Sequence, residues 1–119
     1  MAHNNKGFTL VELIIVIVIV GVLAAIAAPI MTGNVARARK TEAIAAFGAV
    51  RTAERLYRLE SPVYGTFAQI GNYLNQGDLS GRYYSSTDYT ITTAGAGNIS
   101  MPLDGGCNMD FNTGTINGG

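Results

Sequence analysis

The pattern of apolar and polar positions changes along the chain and predicts four segments. Residues 1–7 are polar, residues 8–31 are almost continuously apolar, residues 32–60 carry apolar positions at helical spacing, and residues 61–119 hold short apolar runs between turn residues. The apolar segment exceeds the ~20 residues that a helix needs to cross the hydrocarbon core of a bilayer. Because a spanning segment must satisfy its own backbone hydrogen bonds, we expect a helix here despite the many β-branched residues.

Gly21 and Pro29 lie inside this apolar segment. Glycine is a weak helix former, and proline removes one backbone donor and clashes with the preceding turn. The two residues therefore predict a kink or a loosened stretch between them.

Residues 32–60 are predicted to form an amphipathic helix. Good helix formers are frequent, and the apolar residues recur at steps of three and four, which aligns them in one stripe. The stripe consists of Val35, Ala38, Ile44, Phe47, Val50, Ala53, Leu56 and Tyr57. Glu54 and Arg58 fall outside it and have the spacing of an i, i+4 ion pair. Ser61 and Pro62 end the helix, because a residue before proline avoids the helical conformation.

Residues 61–119 are predicted to form an antiparallel sheet of three or four strands that covers the apolar stripe of the helix. Strand-like alternation, separated by turns rich in glycine and asparagine, occurs in residues 88–93, 98–101, 107–111 and 115–117. A short helix is expected within residues 66–74. The predicted fold class is α+β, a long N-terminal helix packed on a small antiparallel sheet.

Charge and histidine content exclude several classes of function. The chain has 8 basic and 8 acidic residues, so its balance offers no field for nucleic acid. Arg37, Arg39 and Lys40 follow the apolar segment and are interpreted as a juxtamembrane cluster. The only histidine is His3, so a chain without residues 1–7 has none for acid–base catalysis, nucleophile activation or metal ligation. No catalytic residue and no cofactor is predicted.

Cys107 is the only cysteine and cannot form an intramolecular disulfide, so the C-terminal loop must be held by packing, hydrogen bonds or an intermolecular partner. We interpret Cys107 as a small buried apolar residue. Asp104 and Asp110 are the candidate metal ligands, and around Asp110 oxygen-bearing residues alternate from Asn108 to Gly114. That run lacks the acidic first position and the late glutamate of a calcium loop, and a turn-rich hairpin is the preferred interpretation.

Glu12 is the single carboxylate in the apolar segment. An ionised side chain at the bilayer centre costs about 2.5–3.5 kcal/mol on insertion scales, and such residues are usually functional. An ordinary signal peptide cleaved at the small residues 25–27 leaves this charge unexplained. A plain membrane anchor leaves it unexplained as well.

The stretch from Lys6 to Pro29 resembles, residue by residue, the N-terminus of type IV pilin precursors, a family that includes the pseudopilins of type II secretion. The resemblance implies that a membrane-embedded peptidase cuts after Gly7 and methylates the new N-terminus at Phe8. It also implies that Glu12, the fifth residue of the mature chain, pairs with the N-terminal amine of a neighbouring copy. Opposite charges attract strongly in an apolar filament core, so Glu12 is expected to set the axial register.

The resemblance implies a structural subunit of a type IV pilus, with residues 1–7 as a cleaved leader and residues 61–119 as the head. Gly21 and Pro29 become assembly residues, because the helix of assembled pilins tends to unwind in this region. The implied partners are copies of the chain, the inner membrane before assembly, the prepilin peptidase and methyltransferase, and the pilus assembly machinery. The implied final location is the cell surface.

Other interpretations remain open from the sequence. One is a major pseudopilin of type II secretion, and one from another class is a small secreted binding domain with an ordinary signal peptide. The positive-inside tendency opposes the implied orientation, because it would place Arg37, Arg39 and Lys40 in the cytoplasm. The resemblance is also incomplete, since many pilins close a C-terminal loop with a cysteine pair. Adhesion, motility, DNA uptake and secretion share this N-terminus.

Overall fold

The computed structural model describes residues 7–102 and 106–118. The chain divides into two compact units, the first ending at Ala36 and the second beginning at Arg37. A long helix, α1 (Leu10–Tyr57), contributes residues to both units. The predicted α+β fold is confirmed: a long N-terminal helix is combined with a small antiparallel sheet.

In the first unit every described residue from Gly7 to Asn34 is exposed. Phe8 is 90% exposed, and the other large apolar side chains up to Met31 are 46–75% exposed. Among the described residues, α1 is the one helix that is long and apolar enough to cross a membrane, with a mean hydropathy of 3.1 over 18 residues. An all-round apolar helix of this kind suits an apolar surrounding and not water.

The helix continues without interruption through Gly21 and Pro29, so the predicted loosened stretch is absent from the single chain. Proline removes only one backbone donor, and the Thr32 hydroxyl donates to the Pro29 carbonyl oxygen at 2.9 Å. At its C-terminal end, α1 stops at Tyr57 and the chain tightens into a turn in which the Glu60 amide donates to the Tyr57 carbonyl at 3.0 Å. Such i, i+3 bonds commonly close the last turn of a helix.

The second unit contains four strands within the described residues, arranged in sequence order as one antiparallel sheet. The strands are β1 (Thr90–Thr92), β2 (Asn98–Met101), β3 (Cys107–Asp110) and β4 (Ile116–Asn117). Ile99 lies opposite both Ile91 and Met109, and Met109 lies opposite Ile116. Directly opposite residues share one face of a sheet, so these four side chains form its inner face.

A short helix, α2 (Phe67–Ile70), and a 3₁₀ turn (Gly71–Tyr73) connect α1 to the sheet, and they confirm the helix predicted within residues 66–74. Gln69 reaches back to the start of α2, where its side-chain oxygen accepts the Thr66 amide at 2.8 Å. The aromatic side chains of this connection and of the turns before β1 pack onto the core.

The core lies between the second half of α1 and the inner face of the sheet. Its helical members follow the spacing i, i+3, i+4, i+7, i+10 and i+11 from Ala43, namely Ala43, Ala46, Phe47, Val50, Ala53 and Glu54. Leu56 was predicted on the stripe but is 43% exposed, because it lies 13 residues past Ala43, about 220° around the axis at 3.6 residues per turn. Ala38 is also exposed, whereas the predicted burial of Cys107 is confirmed.

Candidate functional site

The segment predicted for processing begins just before α1. Gly7 and Phe8 are exposed and lie outside the helix. A Cβ added to Gly7 would meet no atom within 4 Å, and Gly7 does not have a positive φ. Neither packing nor backbone geometry within the described residues requires glycine at this position.

Glu12 lies in the first turn of α1, where it forms a capping box with Thr9. The Thr9 amide donates to Glu12 Oε2 at 3.3 Å, and the Glu12 amide donates to Thr9 Oγ1 at 3.2 Å. Two backbone donors at the start of the helix are thereby satisfied. The sequence carries the signature of this motif, a threonine three residues before a glutamate, which the sequence analysis did not use.

Gly21 and Pro29 lie on the same helix as Glu12 and are not brought together with it. At 1.5 Å per residue they are about 13 Å and about 25 Å further along the axis. A Cβ at Gly21 would meet no atom within 4 Å. The predicted site residues of the first unit therefore form a line along one exposed apolar helix and enclose no pocket.

Glu54 is a buried residue that sequence reasoning placed on the surface. Its Oε2 accepts the Gly65 amide at 2.8 Å, while its Oε1 has no hydrogen-bond partner among the described residues. Burial raises the pKa of Glu54, and the hydrogen bond from Gly65 acts in the opposite direction. The predicted ion pair with Arg58 is wrong, because the Arg58 guanidinium lies 4.7 Å from the centre of the Tyr64 ring.

Glu42 fastens the segment before β1 to α1. Its two carboxylate oxygens accept the backbone amides of Arg82, Tyr83 and Tyr84 at 2.8–3.2 Å. Hydrogen bonds to an ionised acceptor are about twice as strong as neutral ones. A Cβ at Gly81 would collide with the Glu42 carboxylate, so only glycine permits this close approach.

The comparisons with known proteins decide the family. Residues 2–28 match the model of the prokaryotic N-terminal methylation motif. The chain is 33% identical over 114 residues to the type IV narrow pilus major component PilA5 of Thermus thermophilus, and the match covers 96% of this chain and 88% of that protein. The chain belongs to the type IV pilin family.

Other relatives of this pilin are longer. It is 35% identical over 103 residues to the type IV major pilin protein PilA of Myxococcus xanthus, over 86% of this chain and 47% of that protein. It is 41% identical over 66 residues to the type II secretion system core protein G of Escherichia coli, over 56% of this chain and 46% of that protein. The chain thus spans about half the length of several curated relatives that it matches. No solved structure matches it.

In this pilin, Arg51 holds the turn between β3 and β4. Its Nε donates to the Phe111 carbonyl at 3.0 Å and its Nη2 donates to the Asn112 carbonyl at 3.3 Å. Gly114 has a φ of 74°, and a Cβ there would lie 2.7 Å from the Arg51 guanidinium carbon. The C-terminal loop is therefore held by hydrogen bonds and close packing, as the single cysteine led us to expect. Nothing in the sequence pointed to Arg51 as the residue responsible.

Asp110 closes the same turn. Its Oδ1 accepts the Thr113 amide at 2.8 Å and the Thr113 hydroxyl at 3.1 Å. The bond from the Thr113 amide holds the pKa of Asp110 below its usual range. Asp104, the other candidate metal ligand, lies outside the described residues. Within residues 7–102 and 106–118, no three His, Cys, Asp or Glu side chains come close enough together to hold a metal ion.

A cavity of about 270 Å³ opens at the C-terminal end of α1 in the pilin head. Its lining consists of Arg55, Arg58, Leu59, Tyr64, Phe111 and Asn112. This lining contains neither a carboxylate nor a histidine, so its side chains offer no pair for acid–base chemistry.

Proposed function

We propose that this pilin is the structural subunit of a type IV pilus, built by packing the N-terminal helices of many copies into a helical filament. The observation that carries the proposal is the exposure of every apolar side chain from Phe8 to Met31. An apolar surface of this extent marks a membrane or protein interface. In the proposal it is covered first by the inner membrane and then by neighbouring subunits.

The proposed maturation uses the exposed start of the chain. Residues 1–7 act as the leader, a prepilin peptidase cuts after Gly7, and methylation follows at Phe8. The new amine has a reference pKa of ~8 and is mostly protonated near neutral pH, and methylation keeps its charge. The match of residues 2–28 to the N-terminal methylation motif supports this step.

Glu12 has two roles in the proposal. Its carboxylate caps α1 through Thr9, and its charge attracts the Phe8 amine of a neighbouring copy inside the apolar filament. An unpaired carboxylate in that core is costly, so docking in the correct register is favoured over other registers. Gly21 and Pro29 are assembly residues because they are the weakest helix formers of the apolar segment, at which the helix loosens when subunits pack.

The proposed role is mechanical and not enzymatic. Residues 8–31 form the filament core, residues 32–60 link it to the head, and residues 61–119 form the outer surface. The named relatives include type IV major pilins, which supports a filament at the cell surface. The prepilin peptidase, the methyltransferase and the pilus assembly machinery are the proposed partners.

The test is the mass of the N-terminal peptide from fibres sheared off cells. A peptide that begins at methylated Phe8 is the expected result. A mature chain that begins near Ala28 would contradict the proposal, because ordinary signal cleavage would then have removed the segment that builds the filament.

A pseudopilin of type II secretion is the second candidate. Proteins named type II secretion system core protein G are 38% and 41% identical to this chain over 69 and 66 residues. The same N-terminal measurement separates the two candidates when fibre and membrane fractions are compared. Methylated Phe8 found only in the membrane fraction of cells without long fibres would favour the pseudopilin.

A further inference from the structure

Basic side chains concentrate at the start of the pilin head. Of the 8 lysines and arginines in the chain, Arg37, Arg39 and Lys40 lie within one turn of α1 and are exposed. The fold adds a fourth, Arg82, which is exposed on the segment before β1. Arg82 thereby joins Arg39 in one basic surface of the head, and Arg37 and Lys40 lie nearby on the same turn of α1.

Tyr83 is the centre of this surface. The guanidinium carbon of Arg39 lies 5.6 Å from the centre of its ring, and that of Arg82 lies 5.9 Å from it. Two cations near one aromatic ring fall within the range of cation–π attraction. Tyr83 is half-buried, and both guanidinium groups lie near its ring.

Glu42 is the acidic residue next to this basic surface, and its carboxylate binds backbone amides. Its carboxylate accepts the amides of residues 82–84, and this contact holds Arg82 and Tyr83 against α1, on which Arg39 lies. The negative charge is thus directed at backbone donors of the segment. The four basic side chains extend from the two elements that Glu42 joins.

The position along the chain identifies the partner. Arg37 follows Met31, the last residue of the apolar segment, by six residues, which is at most ~20 Å of fully extended chain. When the apolar segment spans a bilayer, the surface is therefore within reach of the lipid headgroups. Guanidinium groups bind phosphate with two parallel hydrogen bonds, and tyrosine favours the boundary between apolar and aqueous regions.

We infer that Arg39 and Arg82, both close to the ring of Tyr83, bind the phosphate groups of anionic phospholipids and hold the pilin head on the bilayer before assembly, with Arg37 and Lys40 adding positive charge on the same turn of α1. The inference rests on the proposed function only in requiring a membrane-resident subunit. It assigns the basic cluster to the translocated side of the membrane, where lipid phosphate compensates charges that the positive-inside tendency disfavours there. Extraction into the filament then requires these contacts to be released.

The test uses the full chain in lipid nanodiscs with one subunit per disc. Because the chain has no tryptophan, Tyr83→Trp gives a single tryptophan, which can be excited selectively over the remaining tyrosines, and keeps an aromatic ring for the cations. Quenching by acrylamide, which is uncharged, is compared between phosphatidylcholine discs and discs that also contain phosphatidylglycerol. We expect quenching to fall about threefold with phosphatidylglycerol, as an aromatic side chain enters the interface, and to recover at ~1 M salt, where the Debye length is about 3 Å.

A matched pair of variants tests the residues. In the Tyr83→Trp background, Arg39→Gln with Arg82→Gln should abolish the lipid effect, whereas Arg55→Gln with Arg58→Gln removes the same charge elsewhere on the head and should preserve it. Native mass spectrometry of the unmodified chain provides a readout without tryptophan, with preferential retention of phosphatidylglycerol expected.

Equal quenching and equal lipid retention in both kinds of disc would overturn the inference and leave the proposed function intact. Protection that appears only with two subunits per disc, whatever the lipid, would overturn it in favour of a contact between copies. Loss of the effect in both double variants would reduce it to net charge and also overturn it. A chain that does not enter the discs at all would overturn the membrane stage and the proposed function with it.

Discussion

The two units of this pilin differ in what makes them stable. In the unit that ends at Ala36, each large apolar side chain from Phe8 to Met31 is at least 46% exposed, whereas in the unit that begins at Arg37 a helix face and a sheet face bury one another. The same continuous helix supplies residues to both. Burial by the chain's own sheet makes the head a folding unit, while the apolar segment needs a surrounding that the chain does not supply.

The glutamates of α1 differ between the two units in the same way. The three glutamates of α1, Glu12, Glu42 and Glu54, all accept backbone amides. Glu12 accepts an amide three residues away, and the two glutamates of the head accept amides 11 and 40–42 residues away. In the head the carboxylates fix tertiary structure, and in the apolar segment the carboxylate completes only a local cap. In the proposed filament its charge is left for a partner outside the chain.

Replacing Glu12 removes the charge by which the first unit is proposed to pair with a neighbouring copy. We expect the largest effect on filament assembly from this change. Glu12→Gln keeps the capping box, since glutamine also serves at that position, but removes the charge. Breaking a buried ion pair costs about 3–5 kcal/mol, so pilin in the sheared fibre fraction should fall by roughly 100-fold or more. Quantitative immunoblots of the fibre and membrane fractions measure this ratio, and cleaved Glu12→Gln pilin should accumulate in the membrane.

Thr9→Ala is the matched control for that experiment. It removes the capping hydroxyl, at a cost of ~1 kcal/mol, and keeps the charge of Glu12. Fibre yield should therefore change far less than in Glu12→Gln. Equal losses in the two variants would show that the cap matters for assembly and that the proposed charge pair does not.

Gly97→Ala breaks the second unit alone. Gly97 has a φ of 64°, and a Cβ there would lie 2.5 Å from the Tyr64 ring and 2.9 Å from the Phe111 ring. Left-handed backbone strain and overpacking each cost about 1–3 kcal/mol, so we expect the free energy of unfolding of the head to fall by about 2–6 kcal/mol. Thermal unfolding in detergent micelles, followed by near-ultraviolet circular dichroism of the tyrosines, measures the loss.

Gly95→Ala separates the two causes. Gly95 has a φ of 65° but its Cβ would meet no atom within 4 Å, so this variant carries the backbone strain without the collision. The head should lose only about 1–3 kcal/mol. Membrane insertion should be unchanged in both variants, because neither residue belongs to the apolar segment. Similar losses in the two variants would mean that packing against Tyr64 and Phe111 is unimportant.

Replacing Arg51 tests whether its hydrogen bonds stabilise the C-terminal loop of the head in place of a disulfide. Arg51→Met keeps most of the apolar stem but loses the bonds to the carbonyls of Phe111 and Asn112. Leaving the part-buried Phe111 carbonyl unpaired costs about 1–3 kcal/mol, and faster amide hydrogen exchange is expected in residues 110–117. Arg55→Met, an exposed position on the same helix, should change neither quantity. Equal effects of the two variants would assign the loss to net charge.

Sequence patterns predicted the fold because its main determinants are local. Alternation placed β2 at residues 98–101, and helical spacing identified Phe47, Val50 and Ala53 as buried. The motif around Gly7 and Glu12 indicates the family from the sequence alone. These signals all act within a few residues of chain.

The polar contacts of the head were not predictable because they join residues that are far apart in the sequence. Arg51 binds carbonyls 60 and 61 residues away, and Glu42 binds amides more than 39 residues away. Backbone partners carry no signature in the sequence, since every residue has the same amide and carbonyl. Helical spacing puts Glu54 on the buried face, four residues after Val50, but a glutamate is almost never fully buried, and the Gly65 amide that pairs with it carries no signature in the sequence.

The smallest expected effect concerns Glu54 and pH. Its pKa is raised above the usual 4.5 by burial, so the folded chain holds this proton more tightly than the unfolded chain does. The corresponding stability is fully present below pH 4.5 and is lost as the pH rises towards the folded pKa. Glu54→Gln should remove this decline, and its stability at neutral pH should stay within ~1 kcal/mol of the original chain.

Asp110→Asn is the matched comparison for the Glu54→Gln experiment. The pKa of Asp110 is lowered from the usual 3.8, so its contribution is lost as the pH falls, in a window that lies below that of Glu54. Asp110→Asn should therefore alter unfolding midpoints only in the acid range, whereas Glu54→Gln should alter them above pH 4.5. Unfolding midpoints recorded across both windows separate the two residues. A Glu54→Gln profile that still declines above pH 4.5 would mean that another group of the head governs that window.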